Sequence, residues 1–258
     1  MSLVNKFMQY NPLEDLQKEL DKYNLKMDSF FTGRYKNLLE NIKNNYKKGE
    51  ILEVGSYPFY IFWLLRKLNY PITGLDLGPP YEKPISDFVK NNKIDFSTCN
   101  ILNEKFPFKE ESFSTLILTE VIEHLSNPLN VLLESNRVLK KKGTLILSTP
   151  NLHAIGKIFK YLTGIGLDKE IHKTYEQELV KGYPGHIREF SYFEVKTLLQ
   201  RAGFKIKKLS FEYFSLPTKK RVVIPFYLLF PFFRPFQVII AEKERDYLPV
   251  REQIYGPK

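Results

Sequence analysis

The chain has 258 residues, 43% hydrophobic and 26% charged, a composition that suits one large α/β domain and disfavours disorder or an integral membrane protein. Its single cysteine, Cys99, excludes an internal disulfide framework and a cysteine-rich zinc site. A formal charge of +10 and a pI of 9.3 would attract RNA, phospholipid head groups or phosphorylated substrates, yet the lysines are scattered and read equally as a solvated surface.

Residues 1–20 carry Glu14, Asp15 and Glu19 among their apolar positions. That interruption argues against a secretory leader, so a cytoplasmic protein is expected. Residues 12–47 predict two amphipathic helices that bury Leu16, Leu20, Tyr35, Leu38, Leu39 and Ile42. They form a flank rather than a domain.

From residue 50 short apolar runs alternate with helical patterns, as in βα repeats on a mostly parallel sheet. The expected strands are 50–54, 72–76, 94–98, 115–119, 144–149, 204–214 and 236–241. One helix is bracketed by Asn127 as N-cap, Pro128 at its first position and Gly143 closing it, with Leu129, Leu132, Leu133 and Val138 facing the sheet. A second starts at Ser191, where Ser191 and Glu194 form a capping box, and stops at Gly203. The stretch 151–190 is too long for a simple connection and reads as a substrate-side insertion.

In an open α/β sheet ligands lie beyond the carboxyl ends of the strands. The first strand ends Glu53-Val54-Gly55-Ser56, the second at Asp76, the third at Cys99-Asn100-Ile101 and the fourth at Thr119-Glu120. A carboxylate 21 residues beyond Gly55 is placed to accept ribose hydroxyls.

With those residues in that order, the chain resembles the class I S-adenosylmethionine-dependent methyltransferases, in particular the group of ubiquinone-biosynthesis O-methyltransferases and small-molecule or glycan methyltransferases. The matching text is ILEVGS (51–56), TGLD (73–76), the long run 106–151 and HIREFSYFEVKTLLQRAGF (186–204). The resemblance implies a Rossmann-like α/β fold: a seven-stranded, mostly parallel sheet with helices on both faces and an antiparallel last strand. It implies S-adenosylmethionine as cofactor. Glu53, Gly55, Ser56 and Tyr57 would lie along its methionine part and Asp76 on the ribose. Leu77 would flank the adenine, with Asn100 and Ile101 at the adenine edge, and Thr119 and Glu120 would close the methionine side. The chain then divides into a helical flank (1–47), a cofactor half (48–150), the insertion (151–190) and a C-terminal part (191–258), all within one domain.

The chain departs from the family's acid-x-Gly-x-Gly-x-Gly loop, because Tyr57 and Phe59 stand where the later glycines belong. That departure puts cofactor affinity in question, and it argues against a nicotinamide-binding enzyme, whose pyrophosphate needs close backbone approach. Gly78-Pro79-Pro80-Tyr81 looks like the PPY box of amino-directed DNA methyltransferases but follows the second strand, not the fourth. Cys99 likewise follows the third strand, the wrong place for a cytosine C5 nucleophile, and reads as a core residue.

Methyl transfer from a sulfonium rests largely on positioning, with a base needed when the acceptor is a hydroxyl. His124, His153 and His186 are the candidate bases, each also readable as structural or surface histidine. Glu120, Glu123 and His124 are residue types that hold divalent cations, but their spacing is also that of a helix start, and no metal is expected. Lys219-Lys220-Arg221 precedes the aromatic segment 222–233, which is too short to span a bilayer. Segment 219–234 reads either as a peripheral membrane contact or as a buried connection or dimer contact. The expected function is O-methylation of a small-molecule, sugar or lipid-linked acceptor, and nucleic acid is not an expected partner. An RNA methyltransferase, suggested by charge alone, and a non-catalytic protein that kept the fold are the alternatives.

Overall fold

A computed structural model describes residues 11–27, 29–164, 172, 176, 179–180, 185–213 and 227–246. Two helices precede the sheet. Helix α1 (Pro12–Asp21) starts on Asn11, whose side chain accepts the Leu13 amide, with proline in its first turn. Helix α2 spans Ser29–Asn45. There follow β1 (Ile51–Val54), α3 (Tyr60–Lys67), β2 (Ile72–Asp76), α4 (Lys83–Asn91), β3 (Phe96–Thr98) and β4 (Phe113–Thr119). The second half carries α5 (Pro128–Val138), β5 (Leu139–Pro150), α6 (Ile155–Leu162), α7 (Tyr192–Arg201), β6 (Phe204–Glu212) and β7 (Phe236–Lys243). Single 3-10 turns lie at Ile122–His124 and Pro231–Phe233.

The strands lie in the order β3-β2-β1-β4-β5-β7-β6. Every ladder from β3 to β5 is parallel. Strand β7 runs antiparallel to both β5 and β6, which is the single reversed strand the resemblance implies. Side chains alternate across the pleat with a period of two. Leu116, Leu118, Leu145, Leu147 and Ile239 join one core with α5 and α7, while Ile117, Ile146 and Ile240 join another with α1 to α4. Helices thus cover both faces, as expected for a largely parallel sheet.

Of the expected buried positions in 12–47, Leu16, Leu20, Tyr35, Leu38 and Ile42 are in the core, and Leu39 packs on it half-buried. The Ser191–Glu194 capping box is formed in both directions. Gly143 is a correction: α5 stops at Val138 and the chain passes directly into β5, so Gly143 lies inside that strand and not at a helix end. A Cβ there would meet the Lys140 carbonyl at 2.7 Å; the position needs glycine for close approach, which the sequence reading mistook for a cap. Strands β4 and β5 begin earlier than expected, at Phe113 and Leu139, and β3 later, at Phe96, and β6 ends at Glu212.

Register carries the fold to the site. Glu53 pairs with Gly74 and Ile117, Asp76 with Thr98, and Thr119 with Ser148. The carboxyl ends of β1, β2, β4 and β5 therefore open at one edge. Among the described residues no helix is long and apolar enough to cross a membrane.

Candidate active site

The loop after β1 takes the shape its altered sequence permits. Gly55 has φ +74°, and a Cβ on it would sit 2.6 Å from Val121 Cγ2, so this glycine is required both by conformation and by space. Tyr57, at the second glycine position, avoids positive φ, whereas Phe59, at the third, accepts φ 67° at the start of α3. A left-handed phenylalanine costs about 1–2 kcal/mol, and burying a phenylalanine ring contributes about as much or more, ~1.5–3 kcal/mol. Phe59 is fully buried against Phe96, with ring centroids 4.7 Å apart, and Tyr81, at 5.5 Å. An aromatic plug thus replaces the missing glycines.

Ser56 is turned inward. Its hydroxyl donates to the Glu53 carbonyl at 3.0 Å and accepts the Leu75 amide at 3.2 Å, stapling β1 to β2. Asp76, 9% exposed, accepts the Tyr57 amide at 2.8 Å and the Tyr81 hydroxyl at 3.3 Å. Burial raises its pKa, and the amides of Tyr57, Gly78 and Leu77 pull it back. Leu77 beside it is exposed. Asn100 caps its own turn, its side chain accepting the Leu102 amide at 3.2 Å; Ile101 packs half-buried on the core.

Glu53 is almost wholly buried, and its Oε2 has no hydrogen-bond partner. Desolvation pushes its pKa to about 8 against the pull of Arg34, with the Asp76 charge adding to the rise. Arg34 reaches in from α2 and donates to Thr119 Oγ1 at 3.2 Å. Its Nε is buried without a hydrogen-bond partner, and its charge pulls down the pKa of Glu120 as well. Sequence reading took α2 as cover and missed Arg34. The signal was present: Phe31, Arg34 and Leu38 recur at helical spacing, which puts a cation on the packing face.

Glu120 sits at the end of β4 with φ 56°, an unusual backbone that tends to accompany functional positions. Its carboxylate accepts the Ser148 hydroxyl at 2.7 Å. Glu123 is fully buried and accepts the Thr149 hydroxyl at 2.9 Å. Burial first and the Glu120 charge second push its pKa well above the usual carboxylate range, so a proton is held more firmly there than on a surface glutamate.

The histidines separate. The rings of His124 and His186 lie 4.8 Å apart, edge to face, and the segment carrying His186 is held by the Ile187 and Arg188 amides donating to the Glu123 carbonyl. His153 does not join them: its ring lies over Phe232 at 5.3 Å. Glu123, His124 and His186 offer ligand atoms within 4.8 Å of one another, a donor set of the kind divalent metals use; it differs from the Glu120, Glu123, His124 set considered from spacing. Cys99 is buried, its Sγ 3.5 Å from the Lys105 carbonyl, with a thiol pKa raised by burial to about 11. It is a core residue.

Beside Glu120 lies a cleft of about 450 Å³. Its lining combines the aromatic rings of Phe30, Phe31 and Phe236 with the polar groups of Arg34, Glu120, Lys157, His186 and Glu189. Lys157 pairs with Glu189 at 2.5 Å, and His186 Nδ1 lies 4.0 Å from the same carboxylate. Lys157 and Glu189 were not read from sequence, because their ion pair joins residues 32 positions apart across the insertion.

A model of the methyltransferase domain matches residues 23–209. An uncharacterized protein of Methanocaldococcus jannaschii is 26% identical over 195 residues, 72% of this chain and 80% of that one. A probable S-adenosylmethionine-dependent methyltransferase of Mycolicibacterium smegmatis is 23% identical over 182 residues, 70% of this chain but only 61% of that longer protein. Among solved structures, a Thermotoga maritima methyltransferase described as a possible histamine N-methyltransferase shares the fold with TM-score 0.52 and 19% identity, over 84% of this chain and 92% of that one.

The chain therefore belongs to the methyltransferase-domain family, as a class I methyltransferase whose cofactor is S-adenosylmethionine.

Proposed function

We propose that the protein methylates a hydroxyl of a small acceptor, a sugar, a quinone-like lipid or a lipid-linked glycan, held in the cleft beside Glu120. The observation that carries this reading is the cleft itself. Its volume of about 450 Å³ lies in the range that accommodates one small molecule. Its aromatic side chains suit the flat apolar face of a sugar or quinone ring, while the charges of both signs in its lining suit polar substituents. That mixture favours a small acceptor over an RNA strand, which would call for a uniformly basic groove.

The residues present fit the cofactor at two points. The unpartnered Glu53 Oε2 is an acceptor for an ammonium group, and the cation of Arg34, with its unpartnered Nε, is a partner for a carboxylate. In this reading Glu53, Gly55 and the backbone of Tyr57, together with Arg34, Thr119 and Glu120, hold the methionine part. Asp76 takes the ribose, and Leu77, Asn100 and Ile101 take the adenine. Ser56 contributes by fixing the loop. The bound cofactor supplies an electrophilic methyl on a good leaving group.

The protein's own task is then to orient the acceptor and to remove its proton. His186 borders the cleft, and Glu189 stands on its Nδ1 side. That arrangement is a base with an orienting carboxylate. His124 packs against His186 and acts as its support, and His153 has no part in proton transfer.

A panel of sugar, phenol and prenyl-linked glycan acceptors with methyl-labelled cofactor tests this. The His186→Ala variant is expected to lower kcat on a hydroxyl acceptor at least about 100-fold, within the range for loss of a general base. Acceptor KM and cofactor affinity should change little. Equal turnover by the variant would remove His186 from the reaction. Label entering only RNA would overturn the acceptor class.

A further inference from the structure

Helix α6 is amphipathic in sequence yet buries none of its residues. Phe159, Tyr161 and Leu162 are 68–77% exposed. Leu228 and Leu229 are exposed as well, in the segment that continues to the turn at Pro231–Phe233. The two segments are tied together at their bases. Asn151, fully buried, donates from Nδ2 to the carbonyls of Phe232 and Arg234, both at 2.8 Å, and His153 at the foot of α6 stacks on Phe232. Lys157 of the same helix lines the cleft. Pro235 and Phe236, just beyond the second segment, line it too, so two tethered segments with exposed apolar side chains adjoin the acceptor cleft.

Soluble proteins seldom expose such groups together without a partner. Charge selects among partners. The chain carries +10 overall, Lys160 projects from α6 among the exposed apolar residues, and Lys219, Lys220 and Arg221 precede the second segment in sequence. Two copies of so basic a chain repel across a shared face, whereas an anionic bilayer attracts it and accepts aromatic and aliphatic side chains at its interface.

We propose that α6 and residues 228–229 dock the protein on an anionic lipid surface, which delivers a lipid-linked acceptor to the cleft. This rests on the reading of the cleft as the acceptor site. Segments 165–171 and 214–226 lie outside the described residues.

The test is co-sedimentation of the intact protein with phosphatidylcholine vesicles prepared with and without phosphatidylglycerol. Binding is expected only with the anionic lipid, weakening as salt rises. The double variant Phe159→Glu, Leu162→Glu should lose at least about tenfold in vesicle affinity. Its thermal midpoint and S-adenosylhomocysteine affinity should be unchanged, and Lys160→Glu should give a smaller loss in the same direction. No binding by the intact protein, equal binding to neutral vesicles, or undiminished binding by the double variant would overturn the proposal. So would a dimer that the double variant dissolves, since the face would then belong to a second copy. Failure of cofactor binding alongside intact vesicle binding would count against the methyl-transfer reading and leave the docking surface standing.

Discussion

Asp76→Ala is expected to lower the affinity for S-adenosylhomocysteine about 100-fold or more, because two hydrogen bonds to a charged acceptor contribute about 1.5–3 kcal/mol each. The carboxylate also holds the Tyr57 amide, so the alanine variant frees a backbone donor and loosens the loop. Asp76→Asn separates the two effects. It keeps an oxygen for the Tyr57 amide and should fold with a near-native thermal midpoint, yet still lose at least about tenfold in affinity with the charge. Isothermal titration of both variants checks this, and wild-type affinity in Asp76→Asn would show that the ribose is held elsewhere.

Glu53→Gln should alter the pH dependence of cofactor binding. The carboxyl has a pKa of about 8 in the free protein, and an ammonium group arriving beside it favours the charged form. Binding at pH 7 should therefore release about one proton, seen as a dependence of the apparent binding enthalpy on buffer ionisation enthalpy. The glutamine variant should release none and bind weakly.

Stability should change in the opposite sense. A folded-state pKa above the unfolded value of 4.5 gives a contribution that is fully present below 4.5 and lost as pH rises through about 8. At about 1.4 kcal/mol per unit, Glu53 then costs up to about 5 kcal/mol at alkaline pH, the attraction of Arg34 being already contained in its pKa. Glu53→Gln should accordingly be more stable than the parent at pH 9 and similar near pH 5 in chemical denaturation. Equal stability of the two proteins at both values would show that Glu53 is not desolvated.

Much of this is legible in the sequence. Strand-end residues Glu53, Gly55, Asp76, Thr119 and Glu120 follow from alternating βα patterning, because parallel strands in register bring their carboxyl ends to one edge. The Ser191–Glu194 box was legible because a capping box is a local interaction with a fixed offset. Gly143 was misread because a glycine after a helical pattern signals a cap and a close backbone approach alike. Arg34, Lys157 and Glu189 were invisible for another reason: they gain meaning only from partners across the fold. The histidines show the same limit. Sequence offered His124, His153 and His186, and only the anchoring of residues 186–188 on Glu123 sets His186 beside His124 and leaves His153 on Phe232.

The glycine loop bears most directly on the whole account. If an aromatic plug can stand in for two glycines, the cofactor site remains open with Tyr57 and Phe59 in place. Titration of S-adenosylhomocysteine into the intact protein decides it. Saturable binding with a micromolar Kd is the predicted result. A folded protein that binds none would contradict the cofactor site described here, and with it the methyl transfer assigned to the neighbouring cleft.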